Sequence, residues 1–365
     1  MSDPSNATPI AEATSERSSR PSGRAFTRAV FSEYFVLVLA VLFLLALAPF
    51  TPVILSPGNL GNVLSNIFPL LVVAIGQTFV LIVAGIDLSQ PSIIGVSSVV
   101  GAAVMAGALN PTQLEASPLW GSVISEKGGL LGSSALGVPV AVIAMLATGT
   151  LIGLFNGFSI TRLQMPPFMV TLATQIFFAA FAIFLTKSEN INNLPASFVT
   201  LGKGDLGFVP IPLLIALMVA TLAQLTLSRT VLGRHLYATG SNAKAALVSG
   251  VPTDRAIIAA YAISGFCASM GAVLYSARLE VGQPTLGANI LLDVIGATVI
   301  GGTSLFGGKG RVLWTLYGVL FFVLLDNGLN LLSLSFFTVT IVKGAVILMA
   351  ALLDVARARW LSRNT

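Results

Sequence analysis

Charge is scarce in this chain: Lys, Arg, Asp and Glu make up 9% of its 365 residues. A soluble globular domain carries about 25% charged residues, so this chain lacks the means to wet a surface of ordinary size. Cysteine and histidine are scarcer still, with Cys267 and His235 the single examples. One thiol excludes an intramolecular disulfide, and the two residues supply no ligand set for a metal. Cys267 lies in an apolar run and reads as a small buried hydrophobe; His235 lies in a polar loop and reads as a surface residue. Neither a nucleophile elbow nor an HExxH motif is present, which leaves hydrolytic chemistry without its usual groups.

Apolar residues fill the space instead, at 55% of the chain and a mean hydropathy of +0.92. Runs such as YFVLVLAVLFLLALA are apolar all round, whereas the strands of a spanning barrel alternate in polarity. A helix needs about 20 apolar residues to cross about 30 Å of hydrocarbon. Ten runs meet or approach that length: 33–55, 60–84, 88–109, 134–157, 168–186, 208–228, 256–278, 287–305, 312–332 and 337–354. The sequence therefore predicts an all-α integral membrane protein of about ten transmembrane helices.

A net charge of +5 would suit nucleic acid if it were clustered, but its distribution reads as topology. With the amino terminus in the cytoplasm, the inner segments hold Arg17, Arg20, Arg24, Arg28, Arg162, Arg229, Arg234, Lys244, Arg255, Lys309, Arg311, Arg357, Arg359 and Arg363, which is 14 of the 19 basic residues. That is the asymmetry expected of cytoplasmic loops, and an even number of spans keeps both termini cytoplasmic. Residues 1–30 form too long a polar lead for a cleaved signal peptide and predict a disordered cytoplasmic tail. The transmembrane domain is expected over 31–356, with an inner loop at 229–255, and a second tail over 357–365. Two long outer loops, 107–137 and 187–207, are connectors or docking surfaces.

Three stretches stand out. In GQTFVLIVAGIDLSQPS, residues 76–92, a helix breaks at Gly85, and Asp87 with Ser89 can accept hydrogen bonds from the amides that open the next helix. In LFNGFSITRLQMPPFMVTLAT, residues 154–174, Asn156 is expected to end a span and Pro166–Pro167 to interrupt regular structure. The stripe Gly149, Gly153 and Gly157 leading into it lets a neighbouring helix approach closely. In DVIGATVIGGTSLFGGKGR, residues 293–311, the glycines invite comparison with a phosphate loop, GxxxxGK[ST]. The comparison fails twice: the first required glycine falls on Thr303, and Gly310 follows Lys309 where Ser or Thr is needed. Neither ATP binding nor any other cofactor or metal is expected of this chain.

Ionisable residues inside spans cost about 2.5–3.5 kcal/mol each at the bilayer centre. Asp293, Asp326 and Lys343 fall at matching depths near the outer ends of the eighth, ninth and tenth runs. Lys343 is expected to pair with Asp326, Asp293 or both, as a structural lock or as a gate.

The longest polar, basic interruption between apolar runs is GRHLYATGSNAKAALVSGVPTDR, residues 233–255. Ser241 or Asn242 can cap a short helix through AKAALVS, Gly250 can end it and Pro252 prevents its continuation. Such a helix on the inner face is a peg for a soluble partner. The segment resembles the GRxxYAxGxNxxAAxxSG loop of the ribose-type sugar permeases, the membrane subunits of ATP-binding-cassette importers. The resemblance extends, in family order, over GIDLS, NGFSITRLQMPPFMVTLAT, VIGGTSLFGGKG, DNGLNLL and IVKGAVILMAALLD, covering roughly residues 57–355.

That resemblance implies a bacterial inner-membrane permease importing a monosaccharide or similar polyol. Its partners would be a separate ATPase subunit, a periplasmic sugar-binding protein, a second permease chain, identical or related, and membrane lipid. The matching residues Gly233, Arg234, Tyr237, Gly240, Asn242, Ala245, Ala246, Ser249 and Gly250 would form the coupling helix seated in a cleft of the ATPase. Along the implied path, Gln77, Thr171, Thr174, Gln175, Asn327 and Asn330 can hydrogen-bond sugar hydroxyls or serve helix packing. The family commonly continues GIDLS with VGS, where Gln90 and Pro91 intervene here. A stand-alone ion-coupled secondary transporter and a membrane enzyme using His235 are the other function classes.

Overall fold

The computed structural model describes residues 34–363. The expected tail over 1–30 lies outside the described residues. Among the described residues, the helices longer than four residues are, in chain order, α1 (Phe35–Leu47), α2 (Pro57–Ile82), α3 (Gln90–Met105), α4 (Gly137–Arg162), α5 (Pro167–Thr186), α6 (Ala196–Lys203), α7 (Ile211–Arg229), α8 (Val231–Ser241), α9 (Ala243–Val248), α10 (Thr253–Leu279), α11 (Leu291–Gly301), α12 (Val312–Leu331) and α13 (Phe336–Arg363). A two-residue strand pair, Asp205–Leu206 with Val209–Pro210, closes the turn before α7.

Among the described residues, six helices, α2, α4, α5, α7, α10 and α12, are long and apolar enough to cross a membrane, and α1, α3, α11 and the apolar part of α13 are shorter. The chain is an all-helical, multi-pass membrane protein. Each of the ten apolar runs overlaps one of these helices, but the eighth holds only the 11 residues of α11, which rise about 16 Å. Where a boundary differs, a side chain explains it. Asn156 does not end α4, which runs on to Arg162, because its amide is buried and bonded inside the bundle. The last helix runs through the segment read as a tail to Arg363, since neither glycine nor proline interrupts ARARWLSR.

The centre of the bundle is α10, which packs against α4, α2, α3 and α6. The α4 contact is backbone on backbone. A Cβ on Gly153 would collide with the Tyr261 carbonyl, and one on Gly265 with the Gly149 carbonyl. The small-residue stripe therefore lets two helices touch without intervening side chains.

Backbone groups that helices leave unpaired are satisfied by distant parts of the chain, as a medium without water demands. Pro69 lies inside α2 and has no N–H to give the Ser65 carbonyl four residues earlier. Arg278, near the end of α10, donates to that carbonyl at 3.1 Å and to Asn66 Oδ1 at 2.6 Å. At the end of α3, the amides of Gly129, Leu130 and Leu131 donate to the carbonyls of Ala106, Ala103 and Val104. The long loop 107–137 thus folds back as a cap on the helix that precedes it. On the same end of the molecule, Ile191 and Gly282 exchange two backbone bonds and Lys203 pairs with Glu280 at 2.6 Å.

Removing the Arg278 guanidinium should uncover the Ser65 carbonyl, with a loss of about 1.5–3 kcal/mol for a charged hydrogen bond. Arg278→Gln is expected to lower the thermal midpoint in detergent, and the loss should shrink in a Pro69→Ala background, where the helix bond is restored. Equal losses in both backgrounds would show that Arg278 acts elsewhere.

Candidate functional site

The polar segment between α7 and α10 folds as two short helices joined by Asn242. Thr230 opens α8, its hydroxyl accepting from the Gly233 amide at 3.1 Å. Asn242 opens α9, its side-chain oxygen accepting from the Ala245 amide at 3.0 Å. Gly250 closes α9 in a left-handed conformation, φ +82°, while the Val251 amide returns to the Ala246 carbonyl. This is a glycine helix stop, since a side chain is strained at that φ. Sequence reasoning found the α9 caps and missed α8, whose glycines at 233 and 240 lower its helix propensity.

The two short helices differ in how they sit. α8 is held tightly: Gly233 lies on the carbonyls of Thr226 and Leu227, and Gly240 on that of Ile82, each without room for a Cβ. Tyr237 donates to the Gly310 carbonyl at 2.6 Å, and burial pushes its phenol above the ordinary value while Arg311 pulls it back, so it stays a donor at neutral pH. α9 projects. Ala246 is its one buried residue, and Leu247 and Val248 are 63% and 90% exposed. Arg234, Lys244 and Ser249 are exposed as well.

The glycine-rich segment between α11 and α12 packs beneath this pair. Gly307 and Gly308 adopt φ +84° and +70°, which brings the Gly308 amide onto the Ile82 carbonyl at 2.9 Å. Ile82 is the last residue of α2, so one carbonyl carries both Gly240 and Gly308. The failed phosphate loop is a joint between the two inner segments and α2.

Beyond that joint lies the turn over 83–89. Asp87 is wholly buried. Its Oδ1 accepts from the Ser89 amide at 2.9 Å and the Ser89 hydroxyl at 2.6 Å, and its Oδ2 accepts from the Ser264 hydroxyl of α10 at 2.6 Å. Asn156 of α4 donates to Ser89 Oγ, and Gln90 of α3 to Ser264 Oγ, each at 2.9 Å. The result is a buried polar knot binding α3, α4 and α10. Gly85 sits against the Tyr261 hydroxyl, which donates to the Ile86 carbonyl.

The capping expected here is corrected in part. Asp87 takes the amide of Ser89, but the Ser89 side chain caps nothing. The amide of Ser92 in the first turn of α3 is capped by Gln175 Oε1 of α5 at 3.0 Å. The Ser89 hydroxyl is already committed to Asp87, which leaves the task to another helix.

At the other end, Lys343 Nζ lies 3.0 Å from Asp293 Oδ1 and 2.6 Å from Asp326 Oδ1. Both carboxylates engage the one ammonium. The lysine side chain is 13% exposed, Asp293 19% and Asp326 44%, so α11, α12 and α13 are tied at a place where water is scarce. Asn330 donates to Asp326.

The six polar residues placed along a path are not joined in one row. Gln175 and Thr171 reach the 86–92 segment, and Thr174 bonds within its own helix to Val170. Asn327 exchanges two bonds with Asn59 of α2, at 2.9 and 2.8 Å. Gln77 is wholly buried, and both its polar atoms are without a hydrogen-bond partner among the described residues. Asn59 and Ser264 were missed, and Asn156 and Gln90 were noted only as a span end and a departure from the family pattern; the signal was a polar residue inside an apolar run, which requires a buried partner.

The sequence profile of the family described as branched-chain amino acid transport system / permease component matches residues 59–351. The chain is 34% identical to the ribose import permease protein of Bacillus subtilis (strain 168), over 89% of this chain and 91% of that protein. It is 32% identical to the ribose import permease protein of Escherichia coli (strain K12), over 91% and 96%. The galactose/methyl galactoside import permease protein of Haemophilus influenzae is 30% identical over 88% of this chain and 92% of that one. No solved structure matches significantly.

Breaking a buried ion pair by removing one partner costs about 3–5 kcal/mol. Lys343→Met should therefore lower the thermal midpoint sharply, and adding Asp293→Asn should recover part of the loss by removing a carboxylate left without its cation. Additive losses would show that the two do not act as a pair. Asp87→Ala strips the acceptor from Ser89 and Ser264 and should destabilise more than Ser264→Ala.

Proposed function

The chain belongs to this family of transport-system permease components, and on that basis we propose that it is the membrane-spanning subunit of an ATP-binding-cassette importer for a monosaccharide or similar polyol. The family description names branched-chain amino acids, whereas the three relatives described above, 30–34% identical over most of the chain, are import permeases for ribose and for galactose or methyl galactoside. Full-length likeness to sugar permeases is the observation that carries the substrate class. As a permease component, the chain is a transport subunit and no enzyme; ATP hydrolysis lies on a separate subunit.

In this reading the ten apolar helices all enter the bilayer of a bacterial inner membrane, with both termini in the cytoplasm and the short ones crossing only in company. A second permease chain, identical or related, completes the pathway, and a periplasmic binding protein delivers the sugar to the end where the loops 107–137 and 187–207 lie. α9 is the contact with the ATPase. Its exposed Leu247 and Val248 offer apolar area to a cleft, with Arg234 and Lys244 nearby.

Geometry supports the transmission. Force on α9 passes to α8, whose Gly240 bears directly on the end of α2, and from Ile82 to the turn that carries Asp87. Because that turn is bonded to α4 and α10, displacement of the inner segments reaches the centre of the bundle without a flexible link. The Asp293–Lys343–Asp326 group lies at the opposite end, where it serves as a lock on α11, α12 and α13.

Leu247→Glu and Val248→Glu alter residues that the bundle does not bury, so the chain should fold with an unchanged thermal midpoint. Co-purification of the cognate ATPase is expected to fall at least tenfold, and binding-protein-dependent sugar uptake with it. Retained ATPase would remove α9 from the interface. Vesicles holding this polypeptide alone should show no uphill accumulation of sugar, and accumulation driven by an ion gradient would replace this reading with a secondary transporter.

A further inference from the structure

A cleft of about 980 Å³ runs along the outside of the bundle between α2, α7 and the start of α12. Its wall follows α7 from Leu213 to Ser228, a rise of about 23 Å, which exceeds the roughly 15 Å of one hydrocarbon leaflet. The cleft is polarised along that length. Toward one end the walls are Ile67, Phe68, Leu71, Leu213 and Leu217; at the other they are Ser228, Tyr237, Lys309 and Arg311. None of the lining residues is acidic. The basic end is the one where α7 meets α8, assigned above to the cytoplasmic side.

The lining sets what fits there: an occupant apolar over most of its length and anionic at the end beside Lys309 and Arg311.

We infer that the cleft is a binding site for an anionic glycerophospholipid of the inner leaflet. Its acyl chains lie against α2 and α7, and its phosphate faces Lys309 and Arg311. Basic pockets between spans on the cytoplasmic side recognise anionic headgroups in this manner, and Trp and Tyr favour the same depth. Arg311 already stacks on the Trp314 ring, 5.1 Å from its centroid, which holds the cation at the cleft mouth. The inference needs no particular transported solute.

The test is native mass spectrometry of the full chain in detergent, titrated with phosphatidylglycerol or phosphatidylcholine. Phosphatidylglycerol is expected to be retained at least fivefold more than phosphatidylcholine, and inorganic phosphate should fail to displace it. Lys309→Gln should erase most of that preference, whereas Ala220→Trp, which fills the cleft wall, should reduce retention of both lipids; thermal midpoints without added lipid report whether each variant folds. Equal retention of the two lipids by the unaltered chain overturns the inference, as does undiminished retention by a folded Ala220→Trp. A chain shortened to begin at residue 31 should bind as the full chain does; a large gain on shortening would identify the amino-terminal segment as the occupant instead. Cross-linking between two chains through Cys introduced at position 220 would identify a second copy there and likewise overturn it.

Discussion

A polar group withdrawn from water has to find its partner inside the protein, and Asp87 shows how much structure that requirement organises. Its carboxyl draws in Ser89 from its own turn and Ser264 from α10. Those hydroxyls then recruit Asn156 and Gln90. Three helices are held by one side chain because each donor, once buried, needs a place of its own. The same demand explains the Arg278 contact with the carbonyl that Pro69 abandons, and the loop that returns to the end of α3. Hydrophobic burial alone would not specify these contacts, since lipid and leucine are equally greasy to a helix.

Close backbone contact supplies the rigidity that polar bonds specify. Gly149, Gly153 and Gly265 let α4 and α10 meet without side chains between them, and Gly240 seats α8 on the Ile82 carbonyl. A bundle joined in this way transmits displacement because little compressible material lies at its joints. The proposed route from α9 to the Asp87 turn passes through one such joint, Gly240 on the Ile82 carbonyl.

Legibility in the sequence followed the range of the interaction. The caps of α9 were readable because Asn242 and Gly250 act on residues three or four positions away. The grouping of Lys343 with Asp293 and Asp326 was readable because charges inside apolar runs are few and their depths can be counted. The Pro69–Arg278 contact spans more than 200 positions and has no local signature. Gln175 was read as facing a path or serving helix packing, and it caps α3; residue type did not reveal which neighbour its side chain reaches. The length of α11 was overestimated: apolar composition continues where glycines end the helix. A partner for α9 came only from resemblance, as exposed apolar residues announce a contact without naming it.

α9 is anchored to the bundle by Ala246 and its two caps, while the side chains it presents outward carry no part of the fold. Sequence drift at Leu247 or Val248 is thereby uncoupled from membrane insertion. If α9 is the contact proposed above, a transporter built this way can acquire compatibility with a different motor by altering a few surface positions, leaving its interior inheritance intact.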